Sequence, residues 1–300
     1  MTSLSIVLPA KNESVGLQKT LPLLAELYPE ADIIVVDDGS DDDTAEVARS
    51  VGNVRCLSHP VCIGNGGAIK TGARAATGDV IVFMDADGQH DPQEIKKLLE
   101  KIESGYDMAV GARDRDSQAS WIRAVGNRFY NRLASLMTGF EVLDLTSGFR
   151  AVKRSKFLNI LYLLPNKFSY PTTSTMAFFR SGYFVGYVPV VVGKREGTSH
   201  IKLFRDGFRF MIIIMKIGAL FSPMRLFLPI SAFLFYVASV YYLYTYASDG
   251  RFTNMGMLLY LSSLTTFLIG VVSEQVSALH YKDTSRGAEI PPPGIEDRRQ

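Results

Sequence analysis

Short apolar runs that stop at polar or acidic residues recur through the first third of the chain. Leu4-Ser5-Ile6-Val7-Leu8-Pro9 is broken by Pro9 and followed by Lys11-Asn12-Glu13. Ala31-Asp32-Ile33-Ile34-Val35-Val36 stops at Asp37-Asp38-Gly39-Ser40, and Val80-Ile81-Val82-Phe83-Met84 stops at Asp85-Ala86-Asp87-Gly88-Gln89-His90. Runs this short and this uniformly apolar read as strands covered on both faces. Helical patterns lie between them, from Val15 to Leu27, Asp43 to Ser50 and Pro92 to Ile102. The last opens on Asp91-Pro92-Gln93-Glu94, with an N-cap, a proline at the first helical position and a capping-box glutamate. Strand alternating with helix predicts an α/β fold, a mostly parallel sheet with helices on both faces.

Three polar strand ends then line one crevice at the carboxyl edge of the sheet, where open α/β folds place their ligands. On an ideal strand Asp85 and Asp87 point the same way and can converge on one hard cation shared with a diphosphate. Their alternative duty, ending a strand and capping a helix, is already performed by Asp91. Asp37 or Asp38 supplies acceptors of the kind that ribose hydroxyls and a base need. Gly64-Asn65-Gly66-Gly67-Ala68-Ile69 lacks the third glycine of a dinucleotide fingerprint, and the chain holds no P-loop. Those glycines let a loop approach a nucleotide with Lys70 nearby, or form a flexible turn into a helix from Ala68 to Ala76; both readings stand.

In order, these motifs resemble the inverting family 2 glycosyltransferases of GT-A fold, and within them the dolichyl- or polyprenyl-phosphate sugar synthases. The likeness runs from Ile6-Val7-Leu8-Pro9-Ala10-Lys11-Asn12-Glu13 through Val36-Asp37-Asp38-Gly39-Ser40, Asp85-Ala86-Asp87-Gly88-Gln89 and Gly111-Ala112-Arg113. It continues through Asp144-Leu145-Thr146-Ser147-Gly148-Phe149-Arg150 to Arg195-Glu196-Gly197-Thr198-Ser199. The resemblance implies that Pro9, Glu13, Asp37, Asp38, Lys70, Asp85 and Lys202 bind the nucleotide sugar. Asp85, Asp87 and Gln89 are implied as ligands of Mg²⁺ or Mn²⁺. Arg113, Arg123, Asn127 and Ser147 are implied as contacts for the acceptor phosphate, and Asp87, Arg113 and Arg195 as the catalytic residues. Surface ion pairs are the competing reading of the arginines. Two departures stand out. Tyr170-Pro171-Thr172-Thr173-Ser174-Thr175 occupies a stretch where many relatives carry glutamates, and Cys62 and Asn65 stand where relatives often have Asn and Lys.

Farther along, Leu226 to Ala247 and Phe252 to Ser273 contain no charged residue. Each spans roughly 33 Å as a helix, enough for a bilayer core near 30 Å. The expected organisation is a GT-A catalytic domain over 1–200 and a juxtamembrane amphipathic helix over 201–223. Two transmembrane helices follow within 224–276, then a partly disordered tail over 277–300. On the juxtamembrane segment Lys202, Arg205, Arg209 and Lys216 fall within a ~60° arc, a basic stripe suited to anionic headgroups. Basic residues before the first span and after the second, against Arg251 alone between them, place both termini and the catalytic domain in the cytoplasm. No cleavable signal is expected, because Leu4 already begins a strand.

Composition changes this little. The 300 residues carry 32 Lys and Arg against 30 Asp and Glu, so no field of nucleic-acid type exists. Cys56 and Cys62 form neither a metal spacing nor a disulfide framework. The expected reaction is inverting transfer of one sugar, with glucose from UDP-glucose favoured, to a polyprenyl phosphate in a bacterial inner membrane, by a homo-oligomer like its membrane relatives. The acceptor phosphate, doubly ionised with a second pKa of about 6, needs no general base. Rivals are a processive polysaccharide synthase, against which stands the lone Trp121 outside any Q-x-x-R-W motif, and a catalytically decayed membrane scaffold.

Overall fold

The structure, a computed structural model, describes residues 3–113, 121–167, 169–191, 193, 218, 219 and 221–285. It divides into two compact units, Met1–Ser199 and His200–Gln300.

In the first unit seven strands form one sheet: β1 (Leu4–Ala10), β2 (Asp32–Asp37), β3 (Val54–Ser58), β4 (Val80–Phe83), β5 (Met108–Arg113), β6 (Arg150–Lys153) and β7 (Val185–Val190). Their order is β3-β2-β1-β4-β6-β5-β7. All neighbours pair in parallel except β6, which runs against both β4 and β5. The chain winds outward from β1 through β2 to β3, then returns to place β4 on the other side of β1. That reversal splits the helices away from the carboxyl ends of β1 and β4 and opens a crevice there.

Helices cover both faces because alternate residues of the strands are apolar on both. From one face Ile6, Leu8 and Val35 pack with Leu17, Leu21 and Leu24 of α1 (Ser14–Leu27). After α2 (Thr44–Ser50) the chain reaches α3 (Asn65–Ala75), which lies on the opposite face, its Gly72 against the side chains of Val7 and Val36. Ile95, Leu98 and Ile102 of α4 (Ile95–Glu103) return to the first face. Truncating one of these fully buried leucines, Leu17 or Leu21, would cost about 2–5 kcal/mol.

The start of α4 differs from expectation. Asp91 does cap, accepting from Gln93 N at 2.9 Å, but Pro92–Glu94 forms a tighter 3₁₀ turn before the α-helix. Glu94 therefore closes no capping box; Lys97, one turn on, holds its carboxylate at 2.7 Å. Three more helices complete the unit: α5 (Trp121–Thr138), α6 (Arg154–Ile160) and α7 (Tyr170–Arg180).

In the second unit α8 (Pro223–Asp249) and α9 (Asn254–Ser285) form an antiparallel hairpin closed at Gly250, whose left-handed backbone (φ 62°) ends α8. Both are long and apolar enough to cross a membrane. Phe233, Phe235, Leu243, Leu258, Leu264 and Val272 face outward, the reverse of a soluble core helix. Between the helices Ser263 Oγ donates to the Ser231 carbonyl at 2.8 Å and Tyr260 OH to Ser239 Oγ at 3.1 Å. Near the paired ends Glu274 Oε2 accepts from Met224 N at 3.3 Å, so a carboxylate on one helix caps the N-terminus of the other. Helix α9 outruns the expected end at Ser273 by passing through this glutamate.

Candidate active site

Asp85, Ala86 and Asp87 follow β4, Pro9 lies near the end of β1 and Glu13 just after it, and Asp38 stands one residue beyond β2. With Lys11, Cys62, Gly64, Asn65 and Ala68 they line a pocket of about 400 Å³. Five of the expected residues, Pro9, Glu13, Asp38, Asp85 and Asp87, thus meet in one cavity.

The acidic pair converges by a route other than strand alternation. The ladder of β4 ends at Phe83, and Asp87 sits in the turn that follows. That turn is braced on two sides. Gly16 of α1 lies so close that a Cβ there would meet the Ala86 carbonyl at 2.2 Å, and a Cβ on Gly148 would meet Asp85 Oδ2 at 2.7 Å. At Gly16 the neighbour is backbone, so only glycine permits the approach; at Gly148 a larger residue would push the Asp85 side chain aside. Asp87 Oδ1 also accepts from Gln89 N at 3.1 Å. The Gln89 side chain turns toward the segment after β7, Nε2 donating to the Gly193 carbonyl at 3.3 Å, and it does not line the pocket.

Asp38 organises the opposite wall. Its Oδ1 bonds His59 Nδ1 at 2.8 Å and accepts from Ile63 N at 3.0 Å; its Oδ2 accepts from Gly64 N at 2.7 Å and Cys62 Sγ at 3.1 Å. His59 Nε2 continues to Thr71 Oγ1 at 2.9 Å. Burial alone would raise the Asp38 pKa, but these hydrogen bonds outweigh it and hold the carboxyl below the ordinary value. The glycine-rich segment is therefore an ordered wall fastened to β2.

Neighbouring loops zip together beside it. Asn12, in the left-handed region (φ 55°), accepts from Asp41 N at 2.9 Å, while its own N–H reaches Ser40 Oγ and Glu13 N reaches Thr44 Oγ1. Asp37 Oδ1 accepts from Ser40 N at 2.9 Å, and the residue is not part of the pocket lining. Lys70 is likewise diverted: its Nζ donates to Asn166 Oδ1 at 2.8 Å, and burial with the nearby Arg74 lowers its pKa. Lys11, given no role by the sequence, lines the pocket with its Nζ on the Gly39 carbonyl at 2.9 Å.

Ser147 is buried in a turn whose backbone N–H bonds Asp144 Oδ1 at 3.1 Å, and it does not line the pocket. Arg113 ends β5 and Arg123 and Asn127 lie on α5, but their side chains fall outside what the structure describes, as do Arg195, Lys202 and the basic stripe over 202–216. The glutamate-free stretch is the start of α7, wholly buried, where Ser174 and Thr175 bond Arg150 at 2.7 and 3.1 Å. Arg150 belonged to a quoted motif without a role; its complete burial is legible only once α7 folds across it.

Among the described residues no group of three or more His, Cys, Asp or Glu is placed to hold a metal ion. Asp85 and Asp87 together therefore suit an ion that completes its shell with diphosphate oxygens and water, the habit of Mg²⁺ and Mn²⁺.

A sequence profile described as Glycosyl transferase family 2 matches residues 5–161, and one described as GtrB C-terminal hairpin matches 222–279. The chain is similar to Undecaprenyl-phosphate 4-deoxy-4-formamido-L-arabinose transferase of Proteus mirabilis, 33% identical over 51% of this chain and 50% of that protein. It is also similar to Glycosyltransferase AglD of Haloferax volcanii, 31% identical over 67% of this chain and 35% of that one. It thus spans about half the length of the first relative and about a third of the second. In fold it resembles glucosyl-3-phosphoglycerate synthase from Mycobacterium tuberculosis, with TM-score 0.57 and 23% identity over 73% of this chain and 79% of that one.

Proposed function

We propose, from the premise that this chain belongs to Glycosyl transferase family 2, that it moves one sugar from a nucleotide-diphosphate sugar to the phosphate of a membrane polyprenyl phosphate. The observation that carries this is a single pocket holding Pro9, Glu13, Asp38, Asp85 and Asp87, on a chain that also bears a membrane hairpin. Support for the acceptor comes from the name of the Proteus relative, and for a nucleotide sugar and a divalent ion from complexes of the mycobacterial synthase with Mn²⁺ and UDP-glucose. The base and the sugar follow from neither.

Within this reading the Asp38 wall and the zipped loops receive the nucleoside. Asp85 and Asp87 hold the ion beside the diphosphate, and that ion supplies charge neutralisation to the leaving group. Asp37 and Lys70 shape the pocket from outside through Ser40 and Asn166. Gln89 steadies Asp87 through its backbone N–H. Arg113, with Arg123 or Asn127, holds the acceptor phosphate, whose oxygen attacks the anomeric carbon opposite the nucleotide and inverts it. Arg195 and Lys202 meet the departing phosphates.

A panel of UDP- and GDP-sugars with polyprenyl phosphate and Mg²⁺ or Mn²⁺, with the lipid product identified by mass, tests the assignment. The expected result is one lipid-monophosphosugar that disappears with EDTA. Sugar-nucleotide hydrolysis without a lipid product would refute the acceptor.

A further inference from the structure

Arg150 is among the largest fully buried side chains of the described residues. Its Nη1 donates to the Pro171 carbonyl at 3.0 Å, Ser174 Oγ at 2.7 Å and Thr175 Oγ1 at 3.1 Å, and Nη2 donates to the Ser147 carbonyl. The Tyr170 ring stands 5.6 Å from the guanidinium. Every one of these partners is uncharged. Among the described residues no carboxylate lies within ion-pair distance of it, although Asp85 and Asp144 feel its charge from farther off. A buried cation without a paired anion is expensive, so folds seldom keep one that does nothing.

What it does is visible in the segment it grips. The guanidinium holds the Ser147 carbonyl, and Tyr170 OH donates to the Gly148 carbonyl at 3.0 Å. These two bonds fix the backbone of Ser147 and Gly148 beside the Asp85 carboxylate, where a Cβ on Gly148 would meet Oδ2 at 2.7 Å. The fixed charge is thus tied, through two residues of backbone, to one member of the acidic pair.

We propose that Arg150 is a positioning residue of that pair, and that its locally unneutralised charge makes divalent-cation binding at Asp85 and Asp87 conditional on a diphosphate. Two carboxylates with a guanidinium behind them offer a dication little on their own. A diphosphate brings the missing negative charge, offsets Arg150 and the ion together, and completes the ion's oxygen shell. Nucleotide and ion then load as a unit, and by linkage each tightens the other by the same factor. This rests on the reading of Asp85 and Asp87 as the cation site.

The test is Mn²⁺ binding to the full chain in detergent with no ligand, pyrophosphate, UDP or GDP. It is read from the free-ion spin-resonance signal after subtracting each phosphate's own chelation measured without protein, with metal-free pyrophosphate binding read by calorimetry. Wild type should bind Mn²⁺ at least about tenfold more tightly with pyrophosphate or a nucleotide than without. Equal affinity would overturn the proposal whatever the variants do. Ser174→Asp sets a carboxylate on the guanidinium, and Arg150→Gln removes the charge. In whichever variant keeps its melting temperature, Mn²⁺ alone should bind about fivefold more tightly and pyrophosphate alone about fivefold more weakly. A merely structural Arg150 would move both affinities the same way or neither, and that result defeats the inference alone. If none of the phosphates binds with or without Mn²⁺, the nucleotide-sugar reading itself falls.

Discussion

Both oxygens of Asp38 are fully subscribed, two donors to each, and of those donors only Cys62 is an exposed side chain facing the pocket. A nucleotide filling this cavity should therefore shield the thiol: maleimide labelling of Cys62 is expected to slow at least about tenfold with bound UDP or GDP, the buried-pocket exclusion of reagent being its cause. Labelling at an unchanged rate while nucleotide is bound would remove Asp38 and Cys62 from the nucleoside pocket. Asp87→Ala should lower transfer by roughly 10²-fold or more with the melting temperature unchanged, because the loss falls on charge stabilisation in the reaction. Substantial residual turnover would withdraw Asp87 from the chemistry. The five pocket residues were legible because each stands at the end of an apolar run or just past it, where the sheet edge lies. The diversions were not. Lys70 meets Asn166 and Gln89 meets Gly193 across 96 and 104 residues of sequence, and no local pattern encodes such partners.

Strands β1, β2 and β4 were read to within a residue or two, since burial on both faces leaves a continuous apolar signature, whereas β3, β5 and β7 were not read as strands. Reversed β6 was not foreseen: Arg150-Ala151-Val152-Lys153 is too short, and opens on too polar a residue, to read as an interior strand. Its placement is held by Asp107, just before β5, whose carboxylate bonds Lys153 Nζ at 2.9 Å and Lys156 Nζ at 3.1 Å and accepts from Phe184 N at 3.0 Å. Burial raises the Asp107 pKa, but Lys153, the Phe184 amide and Lys156 together pull it below the ordinary value. The folded carboxyl thus binds its proton more weakly than the unfolded one. Its stabilising contribution is complete above the unfolded value of about 3.9 and fades as pH falls through the lower folded value. Asp107→Asn should cost about 1–2 kcal/mol at pH 7, the half-exposed lysines limiting the loss, and should flatten stability against pH below 4. Denaturant titrations at pH 7 and 3 check both. Gly16→Ala presses on the Ala86 backbone and should impair transfer more than folding, because the turn carrying Asp87 is what must yield. If the melting temperature collapses while specific activity per folded molecule holds, that turn is not the sensitive part.

Two spans in one hairpin put the start of α8 and the end of α9 at the same membrane face, where Glu274 meets the Met224 amide. Reporter tags on the two termini should accordingly become accessible together in sealed vesicles, and accessibility on opposite sides would break the hairpin reading. The sequence marked both helices by their uncharged stretches but ended the second at its first charge. A carboxylate is no reason to stop when a helix N-terminus receives it, so α9 continues to Ser285. The same hairpin has a consequence for traffic. The inter-helix hydroxyls of Tyr260 and Ser263 are satisfied by the partner helix, and two packed helices enclose no lumen. Under the proposed function, a sugar attached to lipid would gain no passage through this hairpin and would stay in the leaflet where it was made. Delivery to the opposite leaflet would then fall to a structure other than this hairpin, and the lipid-linked product would have to persist until it is reached.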